Sequence, residues 1–306
     1  MIDFTPQNDG SFMPNPGGAP CNFLAMAQKL GSKTAFIGKV GQDAFGDQLK
    51  KTIEQSGINT TGLVQDERYM TTLAFVHLTQ SGERSFSFYR KGCADVMLTR
   101  NDINMDVIDA AGTFHFGSLS FTDEPGRTTV LELLDYVKSQ NKLITYDPNY
   151  RPPLWPSQAE AVLFMIKGAA YADLVKVSEE ELLLLTGTAD CPEGCRRLHD
   201  MGVKCVTVTL GDQGAFFSYA GDRGLVPAFK TNVLDTTGAG DAFFGTFVHQ
   251  VIHCGQSIDH IKPDSMRDFV QTANIAASLC IEGYGGIPSM PDRNALMIRM
   301  SSPFNV

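Results

Sequence analysis

Apolar and polar positions along this chain keep changing period. Short β-branched or apolar runs alternate with longer stretches in which apolar residues recur every three or four places. An amphipathic stretch, CNFLAMAQKLG (21–31), leads into a strand and turn, TAFIGKVG (34–41). TFHFGS (113–118) reads as a buried strand, PGRTTVLELLDYVKSQ (125–140) as a helix opened by proline, and KLITYDPN (142–149) as the next strand. QAEAVLFMIKGAA predicts a helix, ADLVKVS a strand, EEELLLLTG a short helix and VKCVTVTLG (203–211) a strand. Further helices are expected over 239–254 and 265–281. Strands separated by helices of this length make βαβ units, and so an α/β fold with a mostly parallel central sheet flanked by helices.

Residues 72–90 break that rhythm. TLAFVHLT, then QSGE, then RSFSFYRKG has the pattern of an antiparallel hairpin with no helix between its strands. Both faces of its first strand are fairly apolar, so the hairpin must be covered twice. This predicts a small antiparallel β lid, built mainly from 8–20 and 68–95, with homodimerisation through it as a secondary expectation; an extra hairpin packed on the core is the plainer alternative. A length of 306 residues suits one large domain, so the whole of 1–306 is expected to fold as a single unit.

Charge and composition narrow the functions. A net charge of −9 with no Lys/Arg cluster argues against a nucleic-acid partner, while leaving room for a local anion site. No run approaches the length of a membrane span, and the opening MIDFTPQNDGSF has neither the basic start nor the apolar core of a secretory signal. Seven scattered cysteines suggest free thiols and a cytoplasmic location. Cys191 and Cys195 have no second pair at metal-site spacing, and His249 and His253 lack the glutamate of a zinc-protease helix.

Polar groups gather where strands end, the usual ligand position in an open α/β sheet. Asp147, Asn149 and Arg151 follow one strand in DPNYR, which is also readable as a polar turn enforced by Pro148. Glu179, Glu180 and Glu181 open a helix behind Ser178, a pattern that capping alone explains. TLGDQGAFF (209–217) sets two glycines in a turn where backbone can approach a ligand. The most informative stretch is DTTGAGDAFFGTF (235–247). Its small residues precede a helix whose unpaired amides can hold developing negative charge. A carboxylate there would repel phosphate unless it has another task, and the fitting one is to take the proton of an attacking hydroxyl. Helix-terminus amides are expected to help keep Asp241 ionised. An ordinary capped helix start is the competing reading. Neither a Walker P-loop nor an early dinucleotide fingerprint is present.

These stretches, with NPGGAPCNFLAMAQKLGSKTAFIGKVGQDAFG (15–46), RSFSFYRKGCAD (84–95) and KVSEEE, together resemble the ribokinase-like (PfkB) carbohydrate kinases, and among them bacterial fructokinases. The resemblance spans nearly the whole chain. It implies transfer of the ATP γ-phosphoryl group to a primary sugar hydroxyl, foremost the 6-hydroxyl of D-fructose. Activity on 2-keto-3-deoxygluconate or an aminoimidazole riboside is the alternative. A non-catalytic binding module would call for a disrupted Asp241 or glycine turn, and both are intact.

By the same resemblance, Gly238, Ala239 and Gly240 form the anion hole and Asp241 is the base. Asp3, Gly18, Asn22, Phe88, Arg90 and Asn149, with Arg151 nearby, match sugar contacts. Ser178 and Glu181 match the polar pair that organises phosphates and Mg2+ through water. Thr209, Gly211 and Gly214 fall on the nucleotide loop, and Asn274 beside the adenine. Asp235 and Thr237 match the first ligands of a monovalent cation, K+, with EGYGG (282–286) supplying carbonyls. Two departures stand out. Ser178 replaces the more common asparagine, which is expected to alter the magnesium–water network. Relatives also carry an apolar strand ahead of the Ile-Asp-Phe that here follows Met1, so most of an edge or central strand is expected to be lost, with reduced stability, whether the chain starts late or tolerates a shortened strand.

Overall fold

The computed structural model describes residues 1–7, 9–78 and 84–301. Two short strands come first, β1 (Ile2–Pro6) and β2 (Phe12–Pro16), paired antiparallel from Ile2 with Pro16 to Pro6 with Phe12. α1 (Ala19–Lys29) leads into β3 (Ala35–Gly41), α2 (Ala44–Gln55) and β4 (Asn59–Asp66), with β3 and β4 parallel. Asp43 starts α2 by accepting the amides of Phe45 and Gly46 at 3.1 and 2.8 Å, satisfying two otherwise orphaned donors. β5 (Leu73–Leu78) and β6 (Arg84–Tyr89) form the expected antiparallel hairpin; its QSGE turn lies outside the described residues.

β5 also runs parallel to β1, giving a four-stranded sheet in the order β2-β1-β5-β6. Side chains alternate across it. Val76 and Phe88 line a cavity beneath, whereas Phe75 stacks on Phe4 at 4.7 Å and meets Phe12 and Tyr89 edge-on. The second set stays uncovered, with Phe12 41% and Tyr89 64% exposed.

The large sheet follows: α3 (Met105–Ala110), β7 (Thr113–Gly117), α4 (Gly126–Ser139), β8 (Leu143–Asp147), α5 (Gln158–Ala169), β9 (Leu174–Ser178), α6 (Glu179–Thr186), α7 (Cys191–Asp200) and β10 (Cys205–Thr209). β11 (Ala215–Tyr219) and β12 (Asp222–Val226) add an antiparallel edge, for an order of β12-β11-β10-β9-β8-β7. The parallel strands are apolar on both sides because both faces are covered. One face packs Phe121, Leu134, Tyr146, Met165 and Val177 with α4 and α5. The other packs Phe217, Phe244 and Val270 under α8 (Ala239–His253) and α9 (Pro263–Cys280). α10 (Arg293–Ser301) lies against α9.

All five β1 residues are paired and Ile2 is fully buried, its amide donating to Thr72 O at 3.1 Å. The strands between the lid and β7 stand apart: β3 and β4 form a two-stranded sheet of their own, and no described strand joins β3 to β7. Among the described residues no helix is long and apolar enough to cross a membrane, and all seven cysteines are unpaired.

Candidate active site

The carboxyl ends of β7, β8 and β9, the first turns of α1 and α8, and the underside of the four-stranded sheet surround one cavity of about 1230 Å³. It is lined by Asp3, Gly18, Asn22, Phe88, Arg90, Asn149 and Arg151, and by Ser178, Glu181, Asp235 and Thr237 together with Gly238, Ala239, Gly240 and Asp241. Residues as far apart in sequence as Asn22 and Asp241 thus meet at one place.

Gly238 caps α8 with φ of 82°, a conformation costly for other residues, and a Cβ there would lie 3.0 Å from Met290 Cε. The first intrahelical bond runs from the Ala242 amide to Gly238 O at 2.8 Å, and no described hydrogen bond uses the amides of Gly240 or Asp241. Those two donors, at the positive end of a 15-residue helix, have the geometry to cradle an anion. Asp241 accepts Asn22 Nδ2 at 2.8 Å. Burial, and secondarily the Asp147 carboxylate, push the Asp241 pKa up to about 6, against the pull of Asn22, Lys176 and Arg151. The expectation that the helix terminus keeps it ionised is corrected in degree: desolvation outweighs those amides, and the group is still mostly ionised at neutral pH.

Asn22 is held tightly. A Cβ on Gly286 would fall 2.3 Å from Asn22 Oδ1, so glycine is required where the 282–286 loop crosses α1. That Oδ1 is buried without a hydrogen-bond partner. Asp3 lies nearby with its pKa raised, chiefly by burial. Arg90 uses three donors on protein: Asp95 Oδ2 at 2.6 Å, Thr122 Oγ1 at 2.5 Å and Leu119 O at 2.8 Å. It therefore ties the end of β6 to the turn after β7 as well as lining the cavity. Asn149, at φ of 47°, donates its amide to Asp147 Oδ1 at 3.1 Å, so DPNYR is both a strained turn and part of the cavity wall. Arg151 donates to Tyr150 O at 2.9 Å.

Ser178 and Glu181 form a reciprocal capping box on α6, with Glu181 Oε2 accepting the Ser178 amide at 2.8 Å. Glu181 Oε1 also accepts the Tyr150 amide at 2.7 Å, which aims the carboxylate at the cavity. Asp235 accepts the Thr237 amide and hydroxyl at 2.9 and 2.7 Å, and the Gly285 amide at 3.0 Å, joining the glycine turn to the 282–286 loop.

Thr209, Gly211, Gly214 and Asn274 do not line this cavity. Thr209 ends β10, and the glycines flank the turn into β11; at Gly214, with φ of 105°, a Cβ would strike Val226 O at 2.1 Å. Asn274 is buried and donates to the carbonyls of Val226 and Pro227 at 2.9 and 3.1 Å, pinning the segment after β12 beside that turn.

Sequence reasoning missed Lys176. It is buried in β9 and pairs with buried Asp147 at 2.8 Å. Its Nζ would lie 3.0 Å from a Cβ on Gly240, directly behind the anion cradle. Burial works against the ammonium, but Asp147 and Glu181 prevail and hold its pKa above the ordinary value. The signal was there to read: a lone lysine inside the apolar strand LVKVS needs a buried partner.

This arrangement has known counterparts. Residues 4–293 match the pattern of the pfkB family of carbohydrate kinases. Fructokinase-2 of Oryza sativa subsp. japonica is 38% identical over 95% of this chain and 88% of its own length. A fructokinase from Xylella fastidiosa with bound ATP superposes with a TM-score of 0.92 at 30% identity, covering 98% of this chain and 95% of that one. Fructokinase from Vibrio cholerae O395, in a form with fructose, ADP and calcium and as a double mutant with fructose, ADP and potassium, gives 0.89 at 29% identity, covering 98% of this chain and 96% or 95% of those. The chain belongs to the pfkB family of carbohydrate kinases. It is an ATP-dependent sugar kinase, and its particular substrate is argued next.

Proposed function

We propose that the protein phosphorylates D-fructose on its 6-hydroxyl with ATP. The observation that carries this is the Asp241 carboxylate set one residue beyond the Gly240 amide, in a cavity roofed by the four-stranded sheet. Asp241 takes the proton of the sugar hydroxyl as the oxygen attacks phosphorus. The amides of Gly240 and Asp241 receive the charge on the transferring phosphoryl group. Asn22, fixed by Gly286, orients the carboxylate, and its buried Oδ1 accepts a sugar hydroxyl. Asp3, Gly18, Phe88, Arg90, Asn149 and Arg151 hold the rest of the sugar. Thr209, Gly211, Gly214 and Asn274 shape the nucleotide side. The sheet acts as a lid that keeps water from the phosphoryl group.

Among the described residues no cluster of three carboxylate, histidine or cysteine side chains could hold a metal. Magnesium keeps several waters and binds through one or two carboxylates plus substrate phosphates. Glu181, with Ser178 beside it, would hold such waters, and the ion would supply charge neutralisation of the phosphates. Asp235 and Thr237 with the 282–286 loop would hold K+ behind the anion cradle, affecting turnover more than sugar binding.

A coupled ADP-release assay over fructose, 2-keto-3-deoxygluconate and aminoimidazole riboside tests the assignment. Fructose is expected to have the highest kcat/KM, and K+ to raise kcat above the values in Na+ or a large organic cation. A higher kcat/KM on either other substrate reassigns the enzyme, and equal turnover in all three cations removes the potassium site.

The exposed Phe12 and Tyr89 on the outer face of the sheet support a homodimer through the lids. Sedimentation at micromolar concentration is expected to show twice the mass of the chain, and Tyr89→Asp to give a monomer; a monomeric parent refutes the dimer.

A further inference from the structure

His249 and His253, in the HQVIH of α8, take no part in the phosphoryl transfer described above. Four residues apart on one helix, they share a face, and their ring centroids lie 4.5 Å apart. Both rings aim one nitrogen at the same atom. Ser32 Oγ lies 2.8 Å from His249 Nδ1 and 3.1 Å from His253 Nε2. Ser32 comes just after α1 and is buried, its amide donating back to Ala27 O at 3.0 Å. α1 and α8 press together along this seam, so closely that a Cβ on Gly245 would fall 2.7 Å from Phe23 O. Two imidazoles and a hydroxyl from two packed helices therefore converge on one point.

A hydroxyl carries a single proton, so Ser32 donates to one ring only, and the other ring must turn its own N–H toward the oxygen. The outward nitrogens, His249 Nε2 and His253 Nδ1, have no hydrogen bond among the described residues. Nothing there fixes the tautomers, and both rings can direct a lone pair inward with their protons on the outward nitrogens. Burial, then the neighbouring His253 and Arg293, push the His249 pKa down to about 4. That ring is an unprotonated donor at neutral pH.

The dimensions suit a small tetrahedral ion. Zinc binds imidazole nitrogen and oxygen at about 2.0–2.2 Å, which sets donor atoms about 3.3 Å apart. The observed edges of 2.8 and 3.1 Å have to open only slightly to admit one. The exposed His253 ring can turn to close the third edge, and its solvent side leaves the fourth position to water. Imidazole donors favour zinc and its transition-metal neighbours over magnesium or potassium, which take oxygen. About 12 Å of helix separates His249 from Asp241, so such an ion would stand clear of the reacting atoms.

We propose that Ser32, His249 and His253 bind one divalent transition-metal ion of the Zn2+ class through the two imidazole nitrogens and the hydroxyl oxygen. Binding moves one ring proton to its outward nitrogen through solvent, and the hydroxyl keeps its own. The ion would clamp the end of α1 to the last turns of α8, the two helices whose first turns carry Asn22 and Asp241.

Calorimetric titration of Zn2+ into the nucleotide-free protein, with thermal unfolding alongside, tests the site. The parent is expected to take up one Zn2+ per chain and to unfold at a higher temperature with it. Mg2+ is expected to do neither. His253→Gln changes an exposed side chain, so it should unfold like the parent without metal and lose both the binding step and the shift. His249→Gln should lose them as well, and Ser32→Ala should bind more weakly than the parent. A parent that takes up no Zn2+ overturns the proposal. So does uptake that survives in His253→Gln, which would assign the ion to the cysteines or another group, or an equal shift with Mg2+. Undiminished affinity in Ser32→Ala refutes the hydroxyl as a ligand.

Discussion

Asp241→Asn is expected to lower kcat by about 10²- to 10⁴-fold, the range of general-base catalysis, with the fructose KM changed much less. The carboxylate and amide have the same shape, and α8 is capped by Gly238 with no side-chain bond from Asp241, so the change leaves the helix start as it is. A merely structural Asp241 would therefore leave turnover near parental. The pH profile adds a second readout. kcat/KM reports ionisations of the free enzyme, so the parent's acid limb is expected near the Asp241 pKa of about 6, and the limb should vanish in the variant. Stability follows with its own sign. The native pKa lies above the ordinary 3.8, so the native state holds its proton more tightly than the unfolded chain does. The stability this confers is complete below about pH 4 and is lost as pH rises through about 6. Asp241→Asn should consequently stabilise the protein at pH 8 relative to the parent while it loses activity. Near-parental kcat, or an acid limb that survives the substitution, removes Asp241 from the base role.

Lys176→Met is the second large effect expected. It leaves Asp147 buried with its ion-pair partner gone, and breaking a buried pair in this way typically costs about 3–5 kcal/mol. Urea unfolding should show the loss. Adding Asp147→Asn should recover much of it, because the second change removes the stranded charge. The pair also tells on the chemistry. Lys176 is one of the groups drawing the Asp241 pKa down, so the acid limb of kcat/KM should move to higher pH in Lys176→Met. A variant with parental stability and an unmoved limb would show that the ammonium neither satisfies Asp147 nor reaches the base.

Local pattern suffices for most of the elements. The strands 113–117, 143–147, 174–178 and 205–209 and their helices follow from period and from caps that act within one turn, such as the Ser178–Glu181 box. The glycine turn and Asp241 were legible for the same reason, since helix start, amides and carboxylate lie within four consecutive residues. What depended on long-range pairing could not be read this way. Lys176 and Asp147 become partners only because β8 and β9 lie side by side, and Asn22 reaches Asp241 from the far end of the chain. The Asp241 pKa is set by burial, which no neighbour in sequence encodes. The divided sheet is the clearest case. Each of β3 and β7 looks like an ordinary buried strand in isolation, and only the fold shows that they belong to separate sheets, both packed against α1, with no described strand joining them.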